Sequence, residues 1–362
     1  MNQKKLTVLS VIIIYALITL SCMLNKSKDF SVSERRPLAQ KPTFSFASMQ
    51  SGKYASDTEK YVTDQFPFRE ESRSLKALFA TKVMQKKDNN DIYYKDGHLA
   101  AMEYPMDVSS IERAGKIFAS IYEKHIEGTE AKAYIAVIPD KNYFLAKDSH
   151  LSMDYDAFYQ NVYANTEFLQ PIEFRALLSI DDYYKTDSHL KQDKISDVAK
   201  RLGSEMETNL SAKYEIEEVE APFYGVYYGQ AALPVLPDTI AYCTNESLKQ
   251  VKVYDFENDK EIPLYDLEKT TGRDPYEMFL GGNISLATIE NPNATTDKEL
   301  VVFGDSFSRS ILPLLAEGYQ KITLYDIRYL PSAYIGKYIT FTNQDVLFMY
   351  STSVLNNSET LK

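Results

Sequence analysis

The sequence predicts an α/β fold: a mostly parallel sheet flanked by helices, with a β-rich insertion and an N-terminal membrane anchor. Three observations carry that reading. Helix-like and strand-like runs alternate from residue 109 and resume at Leu300 with three further strands; such alternation argues a parallel sheet covered by helices. Between residues 212 and 298 it gives way to short Tyr-, Val- and Ile-rich runs broken by Pro, Gly and Asn. Near the start, Leu6 to Leu24 carries no charge.

Taken in order, Lys4 and Lys5 precede that uncharged stretch, whose length can just span a bilayer. The basic pair keeps residues 1–5 cytoplasmic and exports the body. A cleaved signal peptide is the rival reading, although no A-x-A-like site follows. Ile18-Thr19-Leu20-Ser21-Cys22 is a poor lipoprotein site, with Thr where Leu is favoured. Residues 25–50 are polar and read as a tether. Residues 51–87 read as helical, with Leu75, Leu78, Phe79 and Val83 on one face and the Lys82 stem at its border. Residues 25–90 thus form a tether and juxtamembrane segment, and 91–362 the main domain.

Tyr93 to Leu99 reads as a hairpin around Asp96-Gly97. Ser109 and Glu112 suggest a capping box for a helix reaching about His125. Ala133 to Ile138 reads as a strand, Tyr155 to Phe168 as a helix, and Ala176 to Ile180 as a strand. Ile195, Val198, Ala199, Leu202 and Met206 trace one helical face. Strands to Phe303, from Ile322 to Tyr325 and from Asp345 to Met349 complete the alternation. Residues 212–298 are the irregular insertion, an obligate part of the same domain.

Composition narrows the function classes. The net charge is −11 with no basic cluster, which excludes nucleic acid as a natural partner. The two cysteines, Cys22 and Cys243, lie in the apolar segment and the body, so no structural disulfide is expected. Cys243 reads as a buried small hydrophobe. There is no His-x3-His, Cys-x2-Cys or calcium-loop pattern, so no metal and no cofactor is expected. His98, His125 and His150 read as surface or cap residues.

Two short segments carry chemistry. Gly304-Asp305-Ser306-Phe307 lies between an apolar strand and a helix over Ser308 to Glu317. A serine on such a turn points its hydroxyl off the end of a sheet. Thr186-Asp187-Ser188-His189 offers a carboxylate and an imidazole two residues apart, which in extended chain project to one side. Each alone reads as an ordinary turn; together they supply nucleophile, base and orienting acid.

Tyr183-Tyr184-Lys185-Thr186-Asp187-Ser188-His189-Leu190 resembles the signature of the DHHW family, relatives of the alginate O-acetylation proteins within the SGNH-hydrolase-like superfamily. In that family the motif reads Thr-Asp-His-His-Trp, and its first Asp and second His map onto Asp187 and His189. Asp305-Ser306-Phe307 matches the family's Asp-Ser-Phe. Further echoes are Ser33 to Leu38, Asp64 to Arg69, Val137-Ile138-Pro139-Asp140-Lys141 and Asp326 to Tyr329. The departures are Ser188 for the middle His and Leu190 for the Trp.

The resemblance implies a membrane-anchored, extracytoplasmic O-acetyltransferase acting on an extracellular polysaccharide. Ser306 is then the nucleophile, His189 its base and Asp187 the orienting carboxylate. The N–H groups of Ser306 and Phe307 form an oxyanion hole. Arg328, Lys141 and Asn283 are further candidates for oxyanion or substrate contact. Each has a plainer reading: a salt-bridged Arg, a residue after a strand end, and a turn Asn. Acetyl-CoA is absent outside the cell, so the resemblance implies a multipass membrane O-acyltransferase as acetyl donor. A deacetylating esterase with the same triad and a non-catalytic scaffold of a polysaccharide machine remain the alternatives.

Overall fold

Two compact units emerge from the chain in the computed structural model, which describes residues 3–147 and 149–362. The first holds residues up to 90 with 228–234; the second holds 91–227 and 235–362. Part of the expected 1–5 tail, and Asp148, lie outside the described residues.

In the first unit, α1 (Gln3–Leu24) is long and apolar enough to cross a bilayer. The expected tether is folded. β1 (Phe30–Ser31) pairs antiparallel with β2 (Arg36–Pro37), and α2 (Phe46–Gln50) follows. The reason is a charge network that the polar composition concealed. Arg36 donates to both Asp64 oxygens at 2.9 and 2.6 Å, and Arg69 meets Glu34 at 2.5 Å. These pairs clamp residues 34–36 to α3 (Lys53–Asp64) and α4 (Arg69–Leu78). One π-helical turn, Phe79–Val83, prolongs α4.

The second unit opens with β3 (Ile92–Lys95) and β4 (His98–Ala101), joined at Asp96-Gly97. Both turn residues have positive φ, 49° and 85°, the geometry an Asp-Gly hairpin requires. His98 is buried on β4, not at the surface, because the hairpin packs this strand inward. α5 (Val108–Ile121) is capped by Asp107, whose carboxylate accepts Ser110 N–H at 3.0 Å. This displaces the expected Ser109–Glu112 box: Ser109 instead donates its hydroxyl to Asp107.

Then follow β5 (Lys132–Ile138), α6 (Lys141–Leu145), α7 (Tyr155–Ala164), β6 (Gln170–Pro171) and α8 (Ser196–Glu205). The strand expected at 176–180 is absent. Two 3₁₀ turns, Arg175–Leu177 and Ile180–Asp182, take its place. Asp182 accepts both the N–H and the hydroxyl of Ser179, which bends the chain, and Phe174 and Leu178 are buried four residues apart rather than two. The sheet strand of this region is the shorter β6.

β7 (Glu215–Phe223) and β8 (Asp238–Thr244) form an antiparallel ribbon. β9 (Lys252–Asp255), β10 (Lys260–Ile262) and β11 (Leu286–Glu290) join the main sheet. The region expected as an insertion therefore supplies three sheet strands as well as the ribbon. β12 (Glu299–Gly304), α9 (Ser308–Leu315), β13 (Lys321–Tyr325) and β14 (Asp345–Ser351) complete the fold.

The eight-stranded sheet has the order β10-β9-β11-β13-β12-β14-β5-β6. The run from β13 to β6 is parallel, and β11, β9 and β10 extend it antiparallel. Strand alternation divides the core. Val301, Phe303, Val346, Phe348 and Tyr350 face α5 and α7. Leu300, Val302, Leu347 and Met349 face α8 and α9. Burial on both faces is why these strands read as unbroken apolar runs. Each fully buried aliphatic or Phe side chain contributes roughly 1.5–3 kcal/mol.

Parallel pairing brings the carboxyl ends of β5, β12 and β14 to one edge, followed by Asp140-Lys141, Asp305-Ser306 and Ser351-Thr352. Asp140 is buried there, accepting the Tyr155 hydroxyl at 2.7 Å and the Thr352 hydroxyl at 2.6 Å. Nearby Glu103 accepts the Ser353 hydroxyl at 2.7 Å. Burial, and then the Asp140 charge, hold the Glu103 carboxyl above its ordinary 4.5. The folded chain keeps a proton that the unfolded chain has lost, so this group's contribution falls as pH rises from 4.5 to the elevated value. Glu103→Gln should flatten that slope in urea midpoints measured against pH; an unchanged slope would assign it elsewhere.

Candidate active site

The turn that carries Ser306 begins where β12 ends. Asp305 turns the chain by accepting Phe307 N–H on Oδ1 at 3.0 Å. Its Oδ2 accepts the N–H and hydroxyl of Ser351 at 2.8 and 2.7 Å, tying the turn to the end of β14. Gly304 permits the close approach: a Cβ there would lie 2.9 Å from Ser308 Oγ. Ser306 is left half-buried at the N-terminus of α9.

The second segment is a bent loop rather than extended chain. It is closed by the Tyr183–Leu190 bridge and by Tyr184 N–H donating to His189 O at 3.1 Å. The bend still turns Asp187 and His189 to one side, because His189 N–H also donates to Asp187 Oδ1 at 3.1 Å. His189 Nδ1 lies 2.5 Å from Asp187 Oδ1, and Nε2 lies 2.8 Å from Ser306 Oγ. With a carboxylate that only accepts on the Nδ1 side, this geometry suits the tautomer that leaves Nε2 to accept from the serine. Three residues from segments 117 positions apart meet at one sheet edge.

The loop is held from below. Lys141 Nζ donates to the backbone oxygens of Tyr184, Lys185 and Asp187 at 2.7, 3.1 and 3.0 Å. Burial pushes its ammonium down to about 7, opposed by the charges of Asp187 and Asp238. Lys141, expected at substrate, is instead buried under the loop that carries Asp187 and His189, where it donates to three carbonyls.

The ribbon holds the loop from the side. Asp238 accepts Lys185 N–H, Thr186 N–H and the Thr186 hydroxyl at 2.7, 2.8 and 2.6 Å. Gly225 N–H donates to Thr186 Oγ1 at 2.9 Å, and Val226 N–H to Asp187 Oδ2 at 2.8 Å. The Tyr276 ring stacks on the His189 imidazole, centroids 3.8 Å apart and planes within 10°. Its hydroxyl donates to Ser310 Oγ on α9 at 3.0 Å.

The remaining expected residues divide. Phe307 packs its ring against His189 with centroids 4.9 Å apart. Its N–H, expected to face an oxyanion, donates to Asp305 instead, while Ser306 N–H has no acceptor among the described residues. Arg328 forms a two-pronged pair with buried Asp326 at 2.9 and 2.7 Å. Asn283 donates to Glu277 at 3.3 Å on an exposed turn. Neither touches Ser306, His189 or Asp187 among the described contacts. Leu190, at the family's Trp position, is fully buried in the core.

Tyr276, Gly225 and Asp238 escaped the sequence reading. All lie in the irregular stretch, and no spacing rule links them to Asp187. Tyr276 can be tested separately from the triad. Tyr276→Leu should slow covalent loading of the protein by an acetyl ester about tenfold or less, the worth of one aromatic stack, while Tyr276→Phe should stay near wild type. Equal losses in both variants would assign the effect to the hydroxyl instead.

The parallel sheet with Ser306 at its edge defines the class: an α/β fold built on a mostly parallel sheet flanked by helices. The chain shares its fold with a DHHW family protein from Eubacterium siraeum, at TM-score 0.58 and 19% identity over 75% of this chain and 95% of that one. Bacillus cereus PatB1, solved with a sulfonyl adduct, is similar at TM-score 0.54 and 19% identity over 73% and 95%. The O-acetyltransferase domain of Pseudomonas putida AlgJ matches at TM-score 0.43 and 11% identity over 73% and 92%. No protein-family model and no curated protein matches the sequence.

Proposed function

We propose that the protein is a membrane-anchored, extracytoplasmic O-acetyltransferase that acetylates hydroxyls of an extracellular or cell-wall polysaccharide. The observation that carries this is the aligned chain of contacts from Asp187 through His189 to Ser306. His189 Nε2 takes the hydroxyl proton as Ser306 Oγ attacks the acetyl carbonyl. The tetrahedral oxyanion forms beside Ser306 N–H. Collapse breaks the bond to the donor's leaving oxygen, which departs with the proton from His189. A sugar hydroxyl then attacks the acetyl-serine, giving its proton to His189, and Ser306 leaves with that proton restored.

Acetyl as the acyl group and polysaccharide as acceptor rest on the resemblance carried by Thr186–Leu190 and Asp305–Phe307. So does a multipass membrane O-acyltransferase as donor. The uncharged run Leu6 to Leu24 within α1 supports export, as an anchor or a signal sequence.

The test is partition of the acetyl group. Full-length protein in detergent would be loaded with an activated acetyl ester, then given oligosaccharides or water alone. Intact mass should show one acetyl group on the protein, discharged faster by oligosaccharide and recovered on the sugar. Release only as acetate would make it an esterase. No loading at all would leave the scaffold reading.

A further inference from the structure

We propose that the first unit rests on the membrane surface through the exposed apolar stripe Phe68, Leu75, Phe79 and Val83. The occupant of this stripe is the boundary between headgroups and acyl chains of an anionic lipid leaflet. The inference is independent of the acetyl chemistry but rests on reading α1 as a membrane span.

The helix from α4 through its π-turn is inside out. Facing inward, Arg69 and Arg73 meet Glu34 at 2.5 and 3.5 Å, and Arg73 donates to Gly229 O at 2.6 Å. Facing outward are Phe68, Leu75, Phe79 and Val83, which are 73, 70, 54 and 62% exposed. Their spacing of seven, four and four residues places them along one side. An amphipathic helix that serves only its own fold buries its apolar side. Here the ion pairs hold the helix to the unit, and the apolar side is left to an outside partner.

Two further observations identify lipid as that partner. Lys76, Lys82 and Lys86 are exposed beside and beyond the stripe, as suits anionic headgroups. Secondly, the chain leaving α1 is tied to the end of α3. Asn25 Nδ2 donates to Gln65 O at 2.8 Å, Lys28 N–H donates to Gln65 Oε1 at 2.8 Å, and Gln65 Nε2 returns a bond to Lys28 O at 2.8 Å. Phe68 follows Gln65 by three residues, so it lies within roughly 10 Å of the residue that anchors the chain leaving α1. The stripe therefore starts close in the chain to a residue tied to the end of the span, as a surface-lying helix requires.

The test uses the full chain with Cys22→Ser, reconstituted in vesicles of phosphatidylcholine and phosphatidylglycerol. An environment-sensitive fluorophore is placed in turn at Phe79→Cys, at Tyr15→Cys in α1, and at exposed Glu246→Cys in the second unit; Cys243 is buried. Nitroxide lipid should quench the 79 and 15 labels several-fold more than the 246 label. Quenching at 15 but none beyond the 246 level at 79 would overturn the proposal while leaving the span. No quenching at 15 would remove the span and the proposal with it. A 79 label that is wet in lipid vesicles but shielded in native membranes would overturn lipid in favour of a protein partner.

Discussion

Ser306→Ala should abolish covalent loading of the protein by an acetyl ester or an aryl sulfonyl fluoride. The hydroxyl is the single proposed covalent site, and it lies 2.8 Å from the base that would activate it. A sulfonyl fluoride reports on an activated serine hydroxyl without requiring the acetyl donor. The fold should survive, because Ser306 is half-buried and the turn is held by Asp305 and Ser351 rather than by the hydroxyl. His189→Ala should slow loading by about 10²–10⁴-fold, the usual worth of a positioned base. Asp187→Asn should also slow it, by letting the imidazole adopt the wrong tautomer. Intact mass and a thermal melt together decide the matter. A Ser306→Ala protein that still loads fully would move the nucleophile elsewhere and end the acyl-serine mechanism.

Gly225→Ala should be nearly as damaging, although residue 225 touches no reacting atom. A Cβ at that position would lie 2.2 Å from Asp187 Cβ and 2.5 Å from both Asp187 Cα and Thr186 O. Two of those atoms belong to the backbone, so a flexible side chain cannot absorb the clash. The ribbon or the catalytic loop must move, and the Gly225 and Val226 N–H bonds to Thr186 and Asp187 move with it. Overpacking of this kind costs about 1–3 kcal/mol. Displacing a catalytic group by about 1 Å can cost ~10²-fold in rate. The expected result is therefore a modest drop in melting temperature with a large drop in sulfonylation rate. A wild-type rate in a folded Gly225→Ala protein would show that the ribbon does not position Asp187.

The parallel sheet was legible because its strands are buried on both faces. Residues 300–303, 322–325 and 345–349 leave no other reading for short apolar runs between helical ones. The place of the Ser306 turn was legible for the same reason, since a Gly-Asp-Ser between such a strand and a helix has one place to go. The Asp187–His189 pair was legible because the interaction is local. Its bend was not, since the bend depends on Lys141 beneath and Asp238 beside it.

What failed at sequence level failed where a distant partner decides. Residues 176–180 carry apolar character, but the Ser179–Asp182 cap and burial four residues apart make them 3₁₀ turns. Residues 25–50 read as a tether because ion pairs to Asp64 and Arg69 leave no trace in composition. Lys141 and Arg328 follow strand ends, where ligands gather, but one is taken by three carbonyls and the other by Asp326. By itself the sequence determined the strands from β12 to β14, the sheet edge and the candidate groups Ser306, His189 and Asp187, because periodicity and local turn chemistry act over a few residues. Only the tertiary structure decided which buried donors, glycine and aromatic ring hold those groups in line, because those contacts cross tens of residues and belong to no repeating pattern.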